Sequence, residues 1–571
     1  MGAPGALLQR TPVERRCRGW LGSAGLLSLM LVAALARAGD QPQWGARHSR
    51  NMVSDEQALP ESFDPRAGQH VKWVAPLGTQ CYSTPVVAGG KVLVGTNNGQ
   101  PRDPRHQGDR GVLLCLHESD GRLAWQLVVP KLEADIYLDW PQAGICSPAT
   151  VEANRVYTVT NRDEVVCLDL DGLANGNDGP YRDEGRHLAP PGQPPIEVGP
   201  TDADIIWLVD LRSAVGVRPH DAAHSSILLD GPYLYVNTSN GLNSRHDGVE
   251  KPDAPSLVVI DKATGQLVAQ DREAIGPRIF HSSWSSPALG TVADRRLIFF
   301  GGGDGVCYAF AALESPRGAT GQSGHAGASP DDVPGGGPPR TVSTLRSVWR
   351  FDCDAKAPKE DVHRYIRNRR VSPSTIMSMP VFCAGRVYVT VGGDIWWGKR
   401  EAWLQCLDAT TTEDITDRGL LWSYPLERHC CSTPSIAQGL VYVADCGGKV
   451  HCVDAQTGRP VWVHDAGHEI WASTLVADDK VYIGTRRGDF WVLAAGRNQR
   501  VLSSTRLDDP IISTAAAANG TLFVATMTRL YAVRRDAQAG RLSLNTLWPC
   551  NCQPPGSKAS WPAAVPSRRY R

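Results

Sequence analysis

Five cysteines sit in one recurring local frame: LLCLHE around Cys115, VVCLDL around Cys167, GVCYAF around Cys307, LQCLDA around Cys406 and VHCVDA around Cys452. A frame that returns with the same residue types marks one structural position visited several times, and hence a repeat architecture. The clearest copy of the longer unit, CCSTPSIAQGLVYVADCGGKVHCVDAQTGRPVWVHD at 430–465, reads as four short strands. Alternating apolar and polar residues, β-branched content and Gly-containing joints support strands linked by hairpins. Aligning on the second strand of this unit finds eight copies, whose first strands are expected to begin near Tyr82, Ile145, His224, Trp284, Met377, Cys431, Trp471 and Ile512. Where the spacing exceeds the basic period, insertions are visible near 169–203 and in a low-complexity stretch at 312–345.

A four-stranded unit of this size cannot bury both faces alone, and radial packing of one sheet on the next solves that problem. The fold expected is all-β: an eight-bladed β-propeller of four-stranded antiparallel blades over 70–535. The last unit lacks its own fourth strand. HVKWVAP at 70–76 precedes the first unit without partners, resembles the fourth strand PVWVH, and is expected to close the last blade. Residues 39–69 are a lead segment and 536–571 a flexible C-terminal tail. The abundant Gly (57) and Pro (41) suit many turns and little helix.

Lys+Arg and Asp+Glu are both 59, so no net field points to nucleic acid or an anionic membrane. Arg10, Arg15, Arg16 and Arg18 precede WLGSAGLLSLMLVAALA, and ARA at 36–38 fits a small-x-small cleavage site. Residues 1–38 therefore read as a signal peptide, and the mature chain as periplasmic or secreted, monomeric and without a membrane span. Export permits disulfides, yet the five framed cysteines sit at equivalent points of separate blades and are expected to be buried and unpaired, as small hydrophobes. No C-x-x-C-H motif for covalent haem is present.

VDAQTGRPVW (453–462) and IDKATGQLVA (260–269), with LHESDGRLAW (116–125) as a looser copy, resemble the PQQ-type propeller repeat, a Thr-Gly turn followed by tryptophan. DADIIWLVDL, RIFHSSWSSPALG and FFGGGDGVCYAF resemble segments of the uncharacterised secreted bacterial members. The resemblance covers about 70–535 and is specific for fold. The family it implies holds quinone-dependent alcohol dehydrogenases and also cofactor-free propellers similar to an outer-membrane assembly scaffold.

In a propeller the loops leading into the first strands form one rim of the central channel. Asp221, His224, His281, Trp284, Arg428, Glu469 and Trp471 are expected on that rim, where indoles can stack on a planar or sugar-like group and Arg428 can pair with an anion. Asp169, Asp171, Asn175, Asn177 and Asp178 form an oxygen-rich turn suited to calcium, although the spacing is not that of an EF-hand. Two functions follow. One is a binding scaffold for a protein, glycan or small-molecule ligand. The other, implied by the resemblance, is a PQQ- and calcium-dependent oxidoreductase, requiring an aromatic floor, carboxylate ligands for calcium, an Asp base and a vicinal disulfide lid. Cys430 and Cys431 are adjacent, but neighbouring residues of an extended chain face opposite ways, which argues against a redox pair.

Overall fold

A computed structural model describes Met1 and residues 39–132, 135–314 and 341–537. Residues 2–38, expected to form most of a signal peptide, most of the 312–345 insertion and the tail with Cys550 and Cys552 lie outside the described residues. The strands form eight sheets, one per repeat, each built on four antiparallel strands, and the chain is an eight-bladed β-propeller with almost no helix. The eighth blade takes its outer strand from the N-terminal side: Val71–Pro76 pairs antiparallel with Arg529–Val533. No described helix is long and apolar enough to cross a membrane.

The repeat signature has a packing cause. In the third strands Cys115, Cys167, Cys406 and Cys452 stand directly opposite fourth-strand Trp125, Trp207, Trp422 and Trp462. Cys307 is opposite Phe351. All five thiols are buried and unpaired. A small apolar side chain there leaves room for a large ring across the ladder.

Each indole then docks on the following blade. Trp125 Nε1 donates to Leu170 O at 2.8 Å, Trp207 to Lys262 O at 3.1 Å, Trp422 to Ala455 O at 3.1 Å and Trp462 to Gly496 O at 2.8 Å. Trp73 of the closing strand reaches Glu118 O of blade one at 2.9 Å. The Thr-Gly turn receives the ring: Gly458 lies at φ +70°, and a Cβ there would stand 2.7 Å from Trp422. Asp454 fastens this turn by accepting from the Gln456 and Thr457 amides and the Thr457 hydroxyl.

The inner strands begin four residues later than the sequence suggests in seven blades, and five later in blade two. The residues between include small hydroxylic ones that tie neighbouring blades together. The Met379 amide donates to Thr433 Oγ1, Thr433 to Ser473 Oγ, Ser473 to Thr514 Oγ1 and Thr514 to Thr84 Oγ1, at 3.0, 2.9, 3.2 and 3.3 Å.

The lead segment is a hub that the repeat does not foretell. Backbone carbonyls of Gln41, Pro42, His48, Ser49 and Met52 accept from Val87, Val151, Leu289, Phe382 and Val476 of five different blades. Val53–Ser54 adds a parallel strand to the inner edge of blade seven. Asn51 exchanges two hydrogen bonds, each 2.8 Å, with the Ile436 backbone. Arg50 is fully buried and donates to the carbonyls of Pro287, Ser226 and Trp44 and to Ser226 Oγ. Burial lowers its pKa to about 9, because carbonyl dipoles replace water without a countercharge.

Candidate functional site

One cavity of about 160 Å³ opens at the lead-in loops. Tyr82, His224, Trp284, Met377, Cys431, Trp471 and Ile512, the repeat-equivalent residues of seven blades, all line it. In blade two the equivalent is Cys146, not Ile145. The inner strand there starts at Thr150, so Cys146 is the residue four positions ahead of it, and alternation turns Ile145 into the core. Trp140, Trp396 and Trp44 complete the aromatic walls, with Trp44 contributed by the hub. Trp44 meets His224 edge-on at 6.2 Å, and its Nε1 donates to Thr514 Oγ1 at 3.2 Å.

Of the rim residues expected from sequence, Asp221, His224, Trp284 and Trp471 face this cavity. His281 lies behind it, buried, with its ring 5.0 Å from Trp284. Glu469 is exposed and holds Trp471 in place: it accepts from Trp471 Nε1 at 2.8 Å and pairs with Arg486 at 2.7 Å, while the Arg486 guanidinium covers the indole at 4.2 Å. Arg428 is exposed, packs against Gly447 and does not line the cavity.

Sequence reasoning missed the residues that surround His281. His220 (blade-three lead-in), His246 (its second-to-third-strand loop) and His281 (blade-four lead-in) bring ring nitrogens within 4.8 Å of one another. Gly241 permits the approach, since a Cβ there would stand 2.7 Å from His220 Cβ and 2.8 Å from the His281 carbonyl. Asp394, in the blade-five loop DIWWGK, accepts from His281 Nδ1 at 3.0 Å and from the Trp396 and Trp397 amides at 2.9 and 2.7 Å. Burial lowers His246 to about 4, with His281 adding to the effect, and holds His220 well below its usual value. Burial raises Asp221 to about 6. The paired Trp396–Trp397 was the available sequence signal, but it lies in a loop between strands two and three, outside the frame that aligns the blades.

The oxygen-rich turn does not gather as a cation cage. Asp169 is taken by Arg155 at 2.5 Å and Asp171 by Lys91 at 3.4 Å. Asn175 reaches Asp178 at 3.4 Å, and Asn177 accepts from Arg182. A second convergence, Asp103, His106 and Asp202, already holds a cation, because Arg105 pairs with both carboxylates.

The quinone set is also incomplete. The cavity has aromatic walls, but its lining includes one carboxylate, Asp221, and neither lysine nor arginine. Cys430 Sγ turns into the core towards Ala444 O at 3.1 Å, whereas Cys431 faces the cavity and stands 4.0 Å from Cys446 Sγ. These residues do not fit a calcium-held quinone under a vicinal disulfide.

Residues 346–546 match the family model for PQQ-type repeats described as outer membrane protein assembly factor BamB. A quinohemoprotein alcohol dehydrogenase of Comamonas testosteroni is 38% identical over 61 residues, 10% of this chain and 9% of that one. A 1-butanol dehydrogenase (cytochrome c) of Thauera butanivorans is 28% identical over 148 residues, 24% and 21% of the two chains. These matches span about a tenth to a fifth of the relatives' length. Among solved structures, the Comamonas testosteroni quinohemoprotein alcohol dehydrogenase superposes with a TM-score of 0.52 at 12% identity, covering 89% of this chain and 82% of that one. A europium-containing methanol dehydrogenase gives 0.52 at 11%, covering 86% and 98%. At such identity the likeness is one of fold alone. With eight blades and docked tryptophans on Thr-Gly turns, the chain is an eight-bladed β-propeller whose residues 346–546 match the PQQ-like repeat model.

Proposed function

We propose that this propeller is an exported binding scaffold that takes a small, uncharged or cationic ring-bearing molecule in the cavity at the channel mouth. The observation that carries this reading is the convergence of Trp44, Trp140, Trp284, Trp396 and Trp471 on one cavity. Indole faces bind flat or sugar-like rings by stacking and attract cations through the ring quadrupole. Asp221, as the lone carboxylate of the lining, favours a donor or a positive charge over an anion. The belt of lead-in hydrogen bonds supports the reading, because it holds the walls without needing a ligand to organise them.

The competing reading is a PQQ- and calcium-dependent oxidoreductase. It rests on the names of the relatives and on the aromatic walls; the residues of the lining argue against it. Tryptophan fluorescence titration separates the two. Methyl glycosides, benzyl alcohol and benzyltrimethylammonium should include a saturable quencher whose effect is lost in Trp284→Ala. PQQ added with calcium chloride should wash off on gel filtration, and stoichiometric, calcium-dependent retention of the quinone would establish the competing reading instead.

A further inference from the structure

We propose that His220, His246 and His281, together with Asp221, form a binding site for a divalent transition metal of the zinc class, beside the aromatic cavity. Binding of such an ion is separate from binding of a ring-bearing molecule and can be measured without it.

Two of the three imidazoles leave an unpartnered ring nitrogen, and a nitrogen of the third lies within 4.8 Å of both. His220 Nδ1 donates to the Leu242 carbonyl at 2.8 Å, which leaves Nε2 as the free acceptor. That Nε2 is buried and has no hydrogen-bond partner. His281 repeats the arrangement: Nδ1 donates to the Asp394 carboxylate at 3.0 Å, and its buried Nε2 has no hydrogen-bond partner. A carboxylate or carbonyl on one ring nitrogen, with the other left for the ion, is the usual support of a metal-bound histidine. Buried acceptors are seldom left unpaired, so two that point to one place call for an occupant.

Asp221 supplies the fourth donor. Its two oxygens lie 3.6 Å from His220 Nε2 and from His281 Nε2 respectively. Two ligands each about 2.1 Å from a tetrahedral ion stand about 3.4 Å apart, so Asp221 is already near ligand spacing from His220 and His281, while His246, with a ring nitrogen within 4.8 Å of theirs, would close in on the ion. The His246 ring completes the set, 4.9 Å from His220 and 6.2 Å from His281 between centroids. Three imidazoles and one carboxylate suit zinc, copper, nickel or iron, and disfavour calcium and magnesium, which take oxygen ligands. Asp394, locked by the Trp396 and Trp397 amides, is a positioning residue that orients His281. Asp221 also lines the cavity, so the ion would adjoin the space enclosed by Trp284 and Trp396.

The test uses untagged mature protein, stripped with a chelator, then titrated with zinc by calorimetry and reloaded with cobalt for visible spectroscopy. One ion per chain should bind, with cobalt showing the intense bands of a tetrahedral nitrogen–oxygen site. His220→Ala and His246→Ala should each weaken binding by more than about 100-fold, and Asp394→Asn by about 10–100-fold. His106→Ala and Cys431→Ser should leave affinity and spectrum unchanged. His246 is half-buried, so its alanine variant decides the matter if the His220 variant fails to fold by circular dichroism. Absence of stoichiometric uptake by the wild type, or uptake retained in folded His246→Ala, or uptake lost in either control, would overturn the proposal.

Discussion

Replacing Gly458 with alanine isolates the contact that joins one blade to the next. Two costs are expected. The left-handed backbone at φ +70° penalises any Cβ, by about 1–2 kcal/mol. The new methyl would also stand 2.7–2.8 Å from three atoms of the Trp422 ring, which is buried and hydrogen-bonded, and overpacking of this kind costs about 1–3 kcal/mol. The total is about 2–5 kcal/mol. Gly439 is the control: its φ is +73°, but nothing lies within 4 Å of its would-be Cβ, so alanine there should cost only the backbone term. Urea unfolding followed by far-ultraviolet circular dichroism measures both. In a Trp422→Ala background the added cost of Gly458→Ala should fall to that of Gly439→Ala, a coupling of about 1–3 kcal/mol in the double-mutant cycle. Equal losses for the two glycines in the wild-type background, or no coupling to Trp422, would refute the account of the Thr-Gly turn as a seat for the indole.

Arg50→Ala should destabilise the ring by about 3–6 kcal/mol, because it leaves buried carbonyls of Ser226 and Pro287 without the charged donor that each now has; a melting temperature within a degree or two of wild type would contradict the hub. Mature protein should begin at Gly39, whose nitrogen lies 2.7 Å from buried Glu56 Oε1; N-terminal sequencing checks the cleavage, and Glu56→Gln should lower stability by weakening that new ammonium–carboxylate contact. Oxidised glutathione should link Cys431 to Cys446 and leave Cys430 free; peptide mapping that finds a Cys430–Cys431 bridge would reverse the assignment of which thiol faces the cavity. Arg497 and the Thr457 hydroxyl lower the Asp454 carboxyl to about 2. A depressed carboxylate stabilises the fold above its unfolded pKa of about 4 and loses that contribution as pH falls towards 2, so the stability gap between wild type and Asp454→Asn should shrink over that window.

The blade number, the closure by Val71–Pro76 and the burial of the five framed cysteines were legible in the amino-acid sequence. All three depend on short-period patterns: alternation along strands, a turn at a constant offset, and a small residue facing a large ring across a hairpin. Equivalence among blades also placed Trp284, His224, Asp221 and Trp471 at one mouth, because a repeat brings equivalent residues to one ring whatever the insertions between them. Arg428 and Glu469 were assigned to that mouth by the same logic, but neither lines the cavity: Glu469 turns to Trp471 and Arg486, and Arg428 is exposed beside Gly447. Tertiary structure alone decided the rest. The hub at 41–56 has no repeat to betray it, since its backbone hydrogen-bonds to inner strand edges that exist only once the ring has formed. Asp394 meets His281 across 113 residues, and His246 arrives on a loop outside the aligned frame, so no spacing along the chain encodes the cluster. Local periodicity fixes which backbone groups pair; convergence of loops of unequal length is set by where the closed ring places their ends.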